Sequence, residues 1–252
     1  MRQCVFCQTT LTNANRSKEH VIPQWLQRAR NLSTEMLSTG FADSNAVNTK
    51  RRMGLDNFLA GKVCSNCNNG WMSQLEVDNM TLLLDIIDNK MTLGALSDDQ
   101  RLSLAKWALK TCIACDSCIG EPPEIDRKLI RQFDKGRSGN LGRCGVFAGR
   151  LSIASRFGYI RKAHYNQMIL DANKLDVGST IGLYIDGLVL ITSFVDRDLS
   201  YVFEIVEGSH EALWPNRGHE LKSVNLQFVG RGQDLITLID AIDVRYRVQV
   251  KD

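Results

Sequence analysis

The chain has 252 residues, a hydrophobic fraction of 44% and a formal charge of +3. That composition is ordinary for a globular protein and excludes a disordered or collagen-like chain. No apolar run approaches the roughly 18 residues of a membrane span, and the N-terminus lacks the apolar core of a secretion signal. The expected compartment is therefore the cytoplasm, where the eight cysteines stay reduced and open to metal. The charge is uneven: residues 1–72 carry a net +5 and the remainder −2. The basic excess makes a polyanion the expected partner of the N-terminal part. It is densest at Lys50-Arg51-Arg52, with Arg16, Lys18, Arg28 and Arg30 nearby.

In chain order, residues 1–12 read as a metal knuckle holding Cys4-Val5-Phe6-Cys7, with backbone amides turned toward the sulfurs. Glu19-His20-Val21-Ile22 reads as a short strand, ended by Pro23, which has no amide proton to pair. Trp25 opens a helical turn that lasts to about Arg30. Residues 31–50, rich in Ser, Thr, Asn and Gly, read as a long loop or insertion, and 51–63 as a second strand. A second pair, Cys64-Ser65-Asn66-Cys67, follows after 56 intervening residues. From there the chain turns helical, with Trp71, Leu75, Met80, Leu83, Leu84 and Ile87 forming one apolar face. Gly70 marks either close packing of the first turn or a break between two helical pieces. Trp25 and Trp71 read as core anchors.

A domain boundary is expected near residues 91–97. Beyond it, Ser97 and Gln100 form a capping-box pattern that opens a helix through about Cys115, with Leu104, Trp107, Ala108 and Cys112 as its buried stripe. Pro122-Pro123 ends regular structure, and 124–133 reads as a further helix. Strands are expected over 145–154, 168–171, 181–194, 201–206, 224–229 and 244–250, with a helix over 233–242. Asp186-Gly187, between two apolar runs, is a strong two-residue hairpin signal. Cys112, Cys115, Cys118 and Cys144 invite a second metal site, but the first two lie on a predicted helix among apolar residues, where cysteine behaves as a small hydrophobe.

Two Cys-x-x-Cys pairs on one chain supply the four thiolates of a closed tetrahedral zinc site. Such a site pins the Glu19-His20 strand against the segment carrying Asn68. Glu-His-Val-Ile-Pro followed by Cys-x-x-Cys-Asn-x-Gly resembles the HNH endonucleases, the zinc-stapled branch of the ββα-metal nucleases, over roughly residues 1–90. The resemblance implies an α+β protein with an HNH nuclease domain over 1–94. An α+β domain with an antiparallel sheet would follow over 95–252, serving substrate positioning, dimerisation, a partner protein or regulation.

The same resemblance implies structural Zn²⁺ on Cys4, Cys7, Cys64 and Cys67. It also implies His20 as general base, with Glu19 and Asn68 as oxygen ligands of a catalytic Mg²⁺ or Mn²⁺. DNA is the implied substrate, RNA stays open, and restriction or phage defence is the implied setting. The family's middle Asn, which orients the His, falls at Leu59 here, leaving Asn57 or Asn48 for that task. The competing readings are a non-catalytic zinc module that binds nucleic acid and an interaction or sensing module.

Overall fold

Helix and sheet positions follow from local chemistry at several points along this computed structural model. It describes residues 2–18, 20–43, 46–119, 125, 130, 133, 141, 144–150, 156–165, 176–195, 200–206, 211–214, 221–224 and 242–247. The Ser97/Gln100 capping box forms in full. The Ser97 amide donates to Gln100 Oε1 at 2.9 Å and the Gln100 amide to Ser97 Oγ at 3.3 Å, satisfying two amides that a helix start otherwise leaves open. At Asp186-Gly187 both residues take positive φ, 47° and 98°. That is the geometry of a type I′ turn, and Ile185 pairs with Leu188 across it.

The helices are α1 (Gln24–Ala29), α2 (Ser65–Cys67), α3 (Ser73–Ile87) and α4 (Asp98–Ile119). The strands are β1 (Met36–Asp43), β2 (Ala46–Gly54), β3 (Cys144–Arg150), β4 (Phe157–Tyr165), β5 (Asp176–Ile185), β6 (Leu188–Val195), β7 (Ser200–Val206), β8 (Glu211–Trp214), β9 (Leu221–Val224) and β10 (Ile242–Arg247). They form a seven-stranded sheet, ordered β2-β1-β4-β5-β6-β3-β8, and a three-stranded sheet, ordered β10-β7-β9. All neighbours are antiparallel except β1/β4 and β7/β9, so the class is α+β with predominantly antiparallel sheet. No helix among the described residues is long and apolar enough to cross a membrane.

The expected loop over 31–50 is instead largely the β1–β2 hairpin, with a bulge at Thr39/Gly40. Its polar residues give no alternation, and β1 is held by parallel pairing with β4, far along the chain. The sheet therefore takes strands from both sides of the expected 94/95 division. β4 was not expected either, because Arg161 interrupts an alternating stretch. Buried Arg161 is tolerated there since its Nη1 donates to Asp116 Oδ1 at 2.6 Å. The expected strand at 168–171 and helix at 233–242 lie outside the described residues, as does most of the 124–133 segment.

Helix α4 is the central element. Trp107 through Ser117 are buried without a break, which is the pattern of a helix covered on all sides. It packs on α3 and on β3, β5, β6 and β8. Its two buried cations are paired. Lys110 Nζ meets Glu76 Oε1 of α3 at 2.8 Å, and Arg101 donates to the Ala212 carbonyl at 2.9 Å. One hydrophobic cluster runs from Cys4 and Phe6, through α3 and α4, to Leu213 of β8.

Candidate metal centre and the residues around it

The N-terminal knuckle is a tight hairpin. Gln3 and Thr10 form an antiparallel bridge, the Cys4 amide donates to the Thr9 carbonyl at 2.9 Å, and the Gln8 amide returns to the Cys4 carbonyl at 2.9 Å. Gln8 turns the chain with φ 63°. The knuckle is tied to the second cysteine segment by the Val5 amide, which donates to the Lys62 carbonyl at 2.8 Å. Cys64 is the N-cap of α2, and its sulfur accepts from the Cys67 amide at 3.4 Å.

Cys4, Cys7, Cys64 and Cys67 thus converge, all four sulfurs lying within 4.8 Å of one another. Cys4 Sγ is 3.9 Å from Cys67 Sγ, and Cys7 Sγ is 3.5 Å from Cys64 Sγ. A tetrahedron with metal–sulfur bonds of about 2.3 Å has edges of about 3.8 Å. A disulfide would need about 2.05 Å, and all eight cysteines are unbridged. The donor set and its spacing therefore fit a closed structural metal such as zinc. Among the described residues no other group of His, Cys, Asp and Glu has metal-site spacing.

The electrostatics point the same way. Cys4 is drawn down to about 4, first by its side-chain hydrogen bond with Cys67 and then by the amides of Cys7, Cys64 and Phe6. Cys67 is pushed up by that same contact and by burial, and Cys64 chiefly by burial. Cys4 carries the negative charge readily, while Cys64 and Cys67 give up their protons only against a cation.

The second cysteine quartet does not gather in this way. Cys112, Cys115 and Cys144 are buried in the core. Burial pushes Cys112 and Cys144 up to about 12 and Cys118 up to about 11. Cys118 donates to the carbonyls of Leu59 and Ala114.

His20 lies on a short antiparallel ladder. Arg16 bridges Cys64, His20 bridges Leu59, and the Ser17 and Val21 amides donate to the carbonyls of Val63 and Phe58, each at 2.9 Å. Val21 and Ile22 are buried, while His20 is half-exposed. His20 Nε2 lies 3.4 Å from Gln24 Nε2, one turn along in α1.

Asn68 follows Cys67 directly, with helical dihedrals of −61° and −57°. Its side-chain amide donates to Asn69 Oδ1 at 3.3 Å. The helix-cap role open to it is taken by Cys64. No hydrogen bond joins Asn68 to His20 among the described residues. Glu19 lies outside the described residues, so of the two expected oxygen ligands only Asn68 is described.

Of the two candidate orienting residues, Asn57 directs its amide to Asp56 Oδ1 at 3.0 Å. The side chain of Asn48 on β2 is outside the described residues, as are those of Lys50, Arg51 and Arg52. Arg16 is committed to the Gly61 carbonyl at 2.9 Å, and Arg30 to Asp88 and Asp186.

Helical geometry resumes with an irregularity. Asn68–Met72 is a π turn in which Gly70 leaves helical dihedrals at φ −95°, ψ −116°. A Cβ at Gly70 would meet nothing within 4 Å. The glycine therefore marks the break between two helical pieces rather than close packing. Comparison with protein-family models, with curated proteins and with solved structures finds no match to this chain.

Proposed function

We propose that the chain is a metal-dependent HNH-type endonuclease that hydrolyses DNA phosphodiester bonds, with residues 1–94 as the ββα-metal unit. The observation that carries this reading is the four-sulfur cluster. It lies where the ladder holding His20 meets the helical start holding Asn68. In this reading His20 takes the proton from the attacking water, a task suited to an imidazole at neutral pH. Gln24 flanks its ring and limits its rotation. Glu19 and Asn68 hold the catalytic Mg²⁺ or Mn²⁺, which when bound polarises the phosphate and stabilises the departing oxygen. The sulfur-bound metal has no open position and acts as a staple. Residues 95–252 position the substrate, dimerise the enzyme or restrain it, across a core shared with the first unit.

The test is cleavage of supercoiled plasmid, and of single-stranded RNA, with Mg²⁺ or Mn²⁺. Wild type nicks or linearises the plasmid. His20→Ala lowers the rate by about 10²- to 10⁴-fold while keeping its structural metal. Equal products from both proteins remove His20 from the mechanism.

A second reading has its own support. Leu59, not an asparagine, lies opposite His20, and Asn57 is bonded to Asp56. Both observations suit a zinc-stabilised module that binds nucleic acid or a partner protein without cutting. Salt-dependent DNA binding without cleavage by wild type would select it.

A further inference from the structure

Against Phe6 of the cysteine knuckle lies a buried donor without a partner among the described residues. Trp71 Nε1 is buried and has no hydrogen-bond partner among the described residues. Leaving such a group unpaired is unfavourable, and each case in a folded chain calls for a reason. The ring is held in place by aromatic edges. Phe6, which sits between Cys4 and Cys7, lies 5.2 Å from it at 82°, and Phe133 lies 5.6 Å away at 70°. Trp71 is four residues beyond Cys67, across the π turn broken at Gly70. The knuckle and the helix start that supply the sulfurs therefore also fix the indole.

We propose that Trp71 is a positioning residue of the metal centre, its indole N–H donating to Cys67 Sγ when that sulfur is a metal-bound thiolate. A thiol is a weak acceptor and a thiolate a strong one. Of the groups around Cys67 the indole is the one side chain that favours its charged form, a small influence without a formed hydrogen bond. Metal binding supplies the acceptor that the buried N–H lacks. In return the N–H takes charge from one of four crowded sulfurs and orients Cys67, as outer-shell donors do at metal sites. The inference rests on the four-cysteine centre and holds whether or not the chain cleaves nucleic acid.

The experiment uses the full chain loaded with NMR-active cadmium. A cross-peak between the metal and the Trp71 indole proton, transmitted through the N–H···S contact, is expected. It should vanish in Trp71→Phe, which retains an aromatic ring against Phe6 and Phe133. In chelator competition with zinc, Trp71→Phe should bind about 10-fold or more weakly. With cobalt, its thiolate-to-metal absorption should shift while remaining tetrahedral in form. The absence of the cross-peak in wild type overturns the proposal, even if affinity falls, because the indole would then act by packing alone. Unchanged affinity and absorption in Trp71→Phe also overturn it. Should that variant fail to fold, the wild-type cross-peak decides.

Discussion

His20 and Leu59 face each other in an isolated antiparallel bridge, one step from the 2.9 Å hydrogen bond between the Val21 amide and the Phe58 carbonyl. Side chains directly opposite in such a pair have Cβ atoms about 4.5–5.5 Å apart. An amide at position 59 would thus lie within reach of the imidazole, which a leucine cannot orient by hydrogen bonding.

The first prediction follows from that pairing and from the nuclease reading. Leu59 is 38% exposed, so Leu59→Asn should change stability by no more than about 0.5 kcal/mol. If imidazole orientation limits the proposed reaction, plasmid cleavage should rise by about 10-fold or more, within the range that positioned acid–base groups supply. Thermal melting and initial cleavage rates measure the two effects separately. An unchanged or lower rate at equal stability would show that orientation from this position is not limiting.

The sulfur chemistry gives a second prediction. One zinc per chain is expected, lost in Cys67→Ser and retained in Cys144→Ala, by metal analysis of the purified proteins. Thiol reagents attack the thiolate, and burial holds Cys112 and Cys144 up near 12. At neutral pH the zinc-loaded protein should therefore label slowly. A chelator should release the thiols of Cys4, Cys7, Cys64 and Cys67 ahead of the core cysteines, which mass spectrometry of the labelled peptides would resolve. Retention of zinc by Cys67→Ser would mean that another ligand completes the site.

What the sequence disclosed here was chemistry that acts over a few residues. Ser97 with Gln100, Asp186 with Gly187, and each Cys-x-x-Cys pair carry their geometry in their spacing, and the cysteine pairs do assemble. What it hid depends on partners distant in the chain. Ser38, Thr39 and Gly40 have no alternating pattern, yet they pair with Gly158, Tyr159 and Ile160. Arg161 looks like a surface residue until Asp116 is placed beside it. Nor does any sequence pattern distinguish an unsatisfied buried indole, as at Trp71, from an ordinary core tryptophan.

A third prediction concerns the ion network that ties α1 and α3 to the β5–β6 turn. Asp186 accepts from Arg30 at 2.6 Å and from Arg156 at 3.1 Å, while Arg30 also pairs with Asp88. Burial of Asp186 opposes its ionisation, but the Arg156 and Arg30 guanidiniums outweigh it and hold the carboxyl below its usual range. Asp186→Asn removes the charge and keeps the turn, since Asn accepts positive φ and Asn-Gly favours type I′. With Arg156 37% exposed, the loss at neutral pH should be only about 1–2 kcal/mol. A carboxyl with a depressed folded-state pKa contributes fully above its unfolded value of about 3.9 and loses that contribution as pH falls through the folded value. Wild type and variant should therefore differ in denaturant melts at pH 7 and converge on acidification below the folded-state pKa. A difference that persisted unchanged would assign the effect to the turn rather than to the charge.

The last prediction tests the junction between α4 and the sheet. Asp116 is buried and fully engaged: Oδ1 accepts from the Tyr159 hydroxyl at 3.1 Å and from Arg161 Nη1 at 2.6 Å, and Oδ2 accepts from the Ile125 amide at 2.9 Å. Burial first, and then the adjacent Asp116 charge, push the Tyr159 phenol well above its usual range, so it stays a neutral donor. Asp116→Ala strips the buried guanidinium of this carboxylate and should destabilise the fold by about 3–5 kcal/mol. Asp116→Asn keeps an acceptor but loses the charge, so it should fall between wild type and Asp116→Ala. The double variant Asp116→Ala with Arg161→Met should recover part of the loss, because removing both charges avoids a buried cation without its carboxylate. Denaturant unfolding of these four proteins and of Arg161→Met alone reads this directly. Additive losses in the double variant would mean that Asp116 acts through Tyr159 and the Ile125 amide rather than through Arg161.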